Sequence, residues 1–238
     1  MTFQTLKLSR PPLVWGAAFL IIFSVLLGIF GYEYVDELEW TVLEDGNIPA
    51  SPTGIVSLNI KVAERVLEVY DNGILLKKYR IAVGKSNSPT PIGEWNVVWK
   101  DYNWGTGFGT RWLGLNVPWG IYGIHGTNKP WSIGQFTSHG CIRMRNKDVE
   151  QLFEWVPIGT VVRIEDKRKK VERTLKYQMM GSDVAIMQLK LKEKGYLEEK
   201  ADGLFGLATE TAVKEYQQEN GLEVTGIVNR AMLDQLGI

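Results

Sequence analysis

The chain has 238 residues, and its 27 Lys and Arg are balanced by 27 Asp and Glu, giving a formal net charge of zero. That balance excludes the basic surface by which a domain grips nucleic acid. Hydrophobic residues at 45% and charged residues at 23% are ordinary for folded domains, and the length allows one or two of them beside a targeting segment.

The first element is apolar. From Pro11 to Tyr32 there are 22 residues without a charge, enough to cross ~30 Å of hydrocarbon as a helix. Lys7 and Arg10 precede this run, and Glu33, Asp36, Glu37 and Glu39 follow it. The positive-inside bias then keeps the N-terminus cytoplasmic and exports the remainder. The end of the run, Gly28-Ile29-Phe30-Gly31-Tyr32, lacks the small-x-small site of a cleaved signal peptide. Residues 1–12 therefore read as a cytoplasmic stub and 13–32 as a single-pass membrane anchor. Residues 33–54, acidic and interrupted by Pro49 and Pro52, read as a spacer.

From Ser57 to Val62 apolar and polar residues alternate strictly, which predicts a half-buried strand. Residues 66–70 and 74–83 are further strands, joined by Asp71-Asn72-Gly73. Asn-Gly between β-rich runs predicts a tight hairpin, since both turn residues tolerate positive φ. Pro89-Thr90-Pro91-Ile92-Gly93 interrupts the sheet, Trp95, Val97 and Trp99 resume the alternation, and residues 121–125 form a short strand ending at His125. Asn146 is placed to cap a helix with Val149, Leu152, Phe153 and Val156 on one face, before a last strand at 161–164.

Residues 166–176 read as a charged linker; 166–173 alone hold five Lys or Arg and two acidic residues. From Tyr177 the pattern turns helical. Ser182 starts a helix that stops at Gly195, Thr209 opens a second that stops at Asn220-Gly221, and Asn229 opens a third. Asp202-Gly203-Leu204-Phe205 and Thr225-Gly226-Ile227-Val228 form a weak internal repeat.

The chemistry concentrates in one window. The only cysteine, Cys141, and both histidines, His125 and His139, fall within 17 residues. A thiol attacks as thiolate, and a nearby imidazole can take its proton, so this is a candidate nucleophilic site. Extended backbone would put His139 and Cys141 on one side, making His139 a rival to His125 as base. A zinc site built from the same three residues is the metal alternative. The absence of any further Cys or His weighs against it, and no metal or other cofactor is expected. Seven of the nine tryptophans lie between Trp95 and Trp155; Trp131, between His125 and Cys141, is placed to line a cleft.

Residues 55–165 resemble the L,D-transpeptidase (YkuD-type) catalytic domain of bacterial cell-wall enzymes. The resemblance rests on Val83-Gly84-Lys85, Thr90-Pro91-Ile92-Gly93, Gly123-Ile124-His125-Gly126-Thr127 and Ser138-His139-Gly140-Cys141-Ile142-Arg143-Met144, with Asn146 and Asp148 following. Residues 177–238 resemble a small helical peptidoglycan-binding module, through Gly181-Ser182-Asp183-Val184, Asp202-Gly203-Leu204-Phe205-Gly206, Gln217 and Gly221-Leu222.

The resemblance implies a mainly-β catalytic domain, a β-sandwich with a short helix, followed by an all-α module. It implies Cys141 as nucleophile, His125 as base and the Gly126 carbonyl as the group orienting that imidazole. Amides of Gly140 and Cys141 would form the oxyanion hole, His139 would assist, and Arg143 would hold a stem-peptide carboxylate or pair with Asp148. The implied reaction crosslinks peptidoglycan stem peptides with release of D-alanine. Hydrolysis of the same acyl-enzyme, by a carboxypeptidase or endopeptidase, and a non-catalytic wall tether are the competing functions. In each case the catalytic and binding domains would face the cell wall from the membrane.

Overall fold

A computed structural model describes residues 51–238; the expected cytoplasmic stub, the anchor and all but the end of the spacer lie outside the described residues. Among the described residues no helix is long and apolar enough to cross a membrane.

Ten strands and one helix build the first part: β1 (Val56–Lys61), β2 (Val66–Asp71), β3 (Ile74–Arg80), β4 (Val83–Gly84), β5 (Gly93–Tyr102), β6 (Arg111–Leu115), β7 (Tyr122–His125), β8 (Phe136–Ser138), β9 (Ile142–Arg143), α1 (Asn146–Trp155) and β10 (Val161–Glu165). The alternation read in β1 is real, with Leu58 and Ile60 buried and Ser57, Asn59 and Lys61 half-exposed. Asn72 at φ +49° and Gly73 at φ +80° make the β2–β3 turn, matching the right-handed twist of the flanking strands. The strand expected over 74–83 is broken. Ile81 donates to the Arg65 carbonyl and Ala82 exchanges both backbone hydrogen bonds with Arg143, so the chain leaves β2 to reach β9.

Eight strands form one mixed sheet in the order β3-β2-β1-β10-β5-β6-β7-β9, and β4 and β8 form a separate parallel pair. The mainly-β class holds, but the two-sheet sandwich does not. The first half of β5 pairs with β10 and the second half with β6, with a register shift between Val97 and Trp99. A bulge of this kind bends a strand and lets it turn a corner, so one continuous sheet wraps a single core. Leu58, Ile60, Trp95, Val97, Leu113, Ile124 and Ile142 meet Val149, Leu152 and Phe153 of α1 in that core.

Three helices follow, α2 (Ser182–Glu193), α3 (Leu207–Glu219) and α4 (Arg230–Leu236), around Val184, Met187, Leu191, Val213, Tyr216, Met232 and Leu233. Val171 and Leu175, inside the segment read as a charged linker, are buried in this second core. The internal repeat has a physical basis. Buried Gln188 accepts the Gly203 amide at 2.8 Å and donates to the Leu204 carbonyl at 3.0 Å. Gln217 accepts the Gly226 amide at 2.9 Å and donates to the Ile227 carbonyl at 2.8 Å. Of the expected caps, Asn229 accepts from the Met232 amide, whereas the Ser182 hydroxyl accepts the Ile92 amide of the sheet domain. Further contacts join the two parts: Glu94 of β5 pairs with Lys192 at 2.7 Å and accepts the Ala201 amide, and Ile92, Leu189 and Ala201 pack together.

Candidate active site

β7 delivers His125 at its end, flanked by Trp112 of β6 and Arg143 of β9 in register. The imidazole is 2% exposed, and its Nδ1 lies 2.5 Å from the Gly126 carbonyl oxygen. Nδ1 therefore carries the proton and donates, leaving Nε2 with its lone pair. Trp112 stacks on the ring at 5.5 Å and 21°, and Phe108 meets it edge-on at 4.9 Å. Trp99 and Trp104 extend this aromatic wall. Burial pushes the His125 pKa from 6.5 down to about 4; the Gly126 and Phe108 carbonyls oppose the shift, and the Arg143 guanidinium adds to it. The imidazole is neutral at pH 7.

A Cβ at Gly126 would lie 2.2 Å from Asn146 Oδ1, so any larger residue there would displace the Asn146 amide. That oxygen accepts the Thr127 amide at 3.1 Å, so Asn146 fastens the segment after His125 to the start of α1. The helix cap expected of Asn146 is not made; Arg145 occupies the cap position.

Cys141 directly precedes β9. Ser138, fully buried, donates from its hydroxyl to the Cys141 carbonyl at 2.6 Å and accepts the Gly140 amide at 3.1 Å. This closes a turn in which Gly140 takes φ +114°, where a Cβ would also lie 2.6 Å from the Tyr122 ring. Burial pushes the Cys141 thiol above its ordinary range, while the Gly123 amide and the Arg143 charge pull the other way. Gly123 is the residue two before His125, so alternation along β7 sets it on the same face of the sheet. Among the described residues, no hydrogen bond joins the sulfur to either histidine.

The turn overturns one expectation. The backbone at Gly140 is not extended, so His139 and Cys141 do not share a side: His139 is exposed while Cys141 is partly buried. The Gly140 amide donates to the Ser138 hydroxyl in this structure. Trp131 stands 71% exposed on a one-turn 3-10 helix, with no ring packed on it among the described residues. Arg143 makes no ion pair with Asp148; its Nε is buried without a partner, and its charge acts on both His125 and Cys141. Among the described residues no three Cys, His, Asp or Glu come together as a metal site. Sequence reasoning missed the roles of Trp112, Phe108 and Gly123. Only the strand alternation that pairs Gly123 with His125 carried a signal for any of them.

Residues 56–164 match the L,D-transpeptidase catalytic domain, and residues 180–236 match a peptidoglycan binding domain. Among proteins similar to this chain, YqjB of Bacillus subtilis, a candidate L,D-transpeptidase, is 34% identical over 145 residues, which span 55% of this chain and 80% of that protein. The chain belongs to the L,D-transpeptidase family. The candidate L,D-transpeptidase YkuD of Bacillus licheniformis is 50% identical over 109 residues, 46% of this chain. The chain spans 62% of that protein's length. In a solved structure, the catalytic domain of the E. faecium L,D-transpeptidase, 48% of this chain covers 98% of that domain at 24% identity and a TM-score of 0.41.

Proposed function

We propose that this chain is a peptidoglycan L,D-transpeptidase working through a Cys141 acyl-enzyme. The observation that carries the reading is that the Arg143 charge acts on both the only thiol of the chain and a caged, buried His125, and that the thiol meets the Gly123 amide two residues before His125. Cys141 starts as a thiol. As its sulfur attacks the carbonyl of the third stem residue, the proton passes to Nε2 of His125, held in that tautomer by the Gly126 carbonyl. The Cys141 amide stabilises the oxyanion. Collapse expels the terminal D-alanine, whose amine takes the proton from His125, and leaves a thioester. An acceptor amine from a neighbouring stem then attacks the thioester, loses its proton to His125, and releases the crosslink as the thiol re-forms. His139, exposed at the turn, serves as an auxiliary partner at the rim. Arg143 holds a substrate carboxylate with its forked donors. The helical module grips the glycan-peptide mesh, and the apolar segment at 13–32 anchors the enzyme so that both domains face the wall.

Product analysis tests the reading. Incubation with tetrapeptide-bearing wall is expected to yield crosslinked dimers through third residues. Trimmed monomers alone would assign the chain to hydrolysis of the same thioester, and unchanged wall would remove the enzymatic reading.

A further inference from the structure

A cavity of about 470 Å³ opens on the other side of the segment that follows β4, with Lys85, Pro89, Ile92, Phe136, Arg168 and Lys169 among its lining. Its size falls within the range of organic ligand sites. It does not contain Cys141, yet it shares a wall with the nucleophile turn. The Lys85 amide donates to the Ser138 carbonyl at 3.1 Å, and the Pro89 carbonyl lies 3.3 Å from where a Cβ on Gly140 would sit.

The charges of this cavity are unequally committed. Arg168 is forked onto Asp166 at 3.0 and 2.9 Å and lies over the Phe136 ring at 4.7 Å, so its positive charge is matched and its plane is fixed. Lys85 and Lys169 make no close ion pair among the described residues, although the Lys169 charge also acts on Asp166, and the lining carries a net charge of +2. The floor is apolar, from Phe136, Ile92 and Pro89. An apolar floor beneath a net positive rim fits an organic acid better than a bare inorganic anion, which would strip its hydration against carbon without return. The basic excess after Asp166, which the transpeptidase chemistry does not use, thereby gains a purpose.

We propose that this cavity is a second substrate subsite for a carboxylate-bearing peptide, its acid group held by Lys85 and Lys169 and its apolar part resting on Phe136 and Ile92. The identity of that peptide as a second stem rests on the transpeptidase reading above; the anionic peptide chemistry does not.

The test is calorimetric titration of the full-length Cys141→Ala protein, which prevents turnover, with a stem tetrapeptide bearing free side carboxylates and with its amidated counterpart. The free acid is expected to bind at least tenfold more tightly, and raised salt to shrink the difference. Lys85→Met with Lys169→Met, which keeps the length of both side chains and removes their charge, should cut the difference at least severalfold, to what Arg143 alone supplies, while the melting temperature stays put. Equal affinity for the two peptides, or a preference undiminished in the double variant, would overturn the subsite. Inorganic phosphate competing as strongly as the peptide would overturn the peptide assignment. D-alanine release by the parent protein is measured alongside. Turnover with lysine-independent binding refutes the subsite alone, whereas lysine-dependent binding without turnover keeps the subsite and refutes the transpeptidase reading.

Discussion

The sheet domain and the helical module differ in how completely their buried polar groups are paired. In the module, Gln188, Thr209 and Gln217 are buried, and each finds hydrogen-bond partners in the turn it supports. Every buried side-chain polar atom left without a partner among the described residues belongs to the sheet domain, and Trp112 Nε1 and Arg143 Nε flank His125 directly. A satisfied buried polar group rigidifies; an unsatisfied one costs stability and is retained where something else uses it. The module's buried polar groups thus stiffen its turns, whereas Trp112 Nε1 and Arg143 Nε beside His125 carry a desolvation cost that no partner offsets.

The widest separation between the two regions should come from Cys141→Ala. Crosslinking and acyl-enzyme formation are expected to vanish, because the chain has no second thiol, while the melting curve moves by no more than the ~1 kcal/mol of a small buried group. Retained crosslinking in that variant would break the comparison outright.

Next in size is His125→Gln, which keeps a buried polar group and removes the base. Activity is expected to fall at least ~100-fold. Stability supplies a second readout with a definite sign. The folded-state pKa of His125 is depressed from 6.5 to about 4, so the unfolded chain binds the proton first as pH falls. Protonation then favours unfolding across that window, by roughly 3 kcal/mol at its acid end. Denaturant titrations at pH 6.5 and pH 4 should show the variant losing less stability than the parent. An equal loss in both would mean that His125 is not buried neutral. His139→Ala, at an exposed position, should leave the base function in place.

Gln188→Leu sharpens the other half. It leaves the Gly203 amide and the Leu204 carbonyl without their side-chain partner, at a cost of about 2–4 kcal/mol to the module. Binding to purified wall should drop with it. The smallest effect belongs to the seam between the parts. Glu94→Gln weakens the contact with Lys192 and the Ala201 amide by about 1 kcal/mol. Its signature is a slight loss of coupling, so that the two parts unfold in separable steps by calorimetry.

Much of this was legible in the sequence because it is local. Strand alternation at 57–62, the Asn72-Gly73 turn and the Asn229 cap each depend on neighbours within a few residues, and the structure has all three. Cys141, His125 and Arg143 share one short window of the sequence, but it is the parallel pairing of β7 with β9 that sets His125 against Arg143. What stayed hidden depends on pairing across the fold. Trp112 reaches His125 through the β6–β7 register, and Asn146 leaves its helix cap to hold Thr127, 19 residues earlier in the chain but adjacent in space. The orientation of His139 was not legible because a two-residue spacing speaks only for extended backbone, and Gly140 sits at φ +114°. The docking of Ser182 onto Ile92 could not be read from a serine that sits where a helix begins.

The central claim is that a neutral Cys141 thiol becomes acylated by a stem peptide with His125 as its base. Intact mass spectrometry of the full-length protein with a stem tetrapeptide tests it most directly. The account predicts an adduct of tripeptidyl mass on the peptide that contains Cys141, one D-alanine released per adduct, and no adduct in Cys141→Ala. An adduct that persists in Cys141→Ala, or D-alanine released with the thiol never modified, would contradict it.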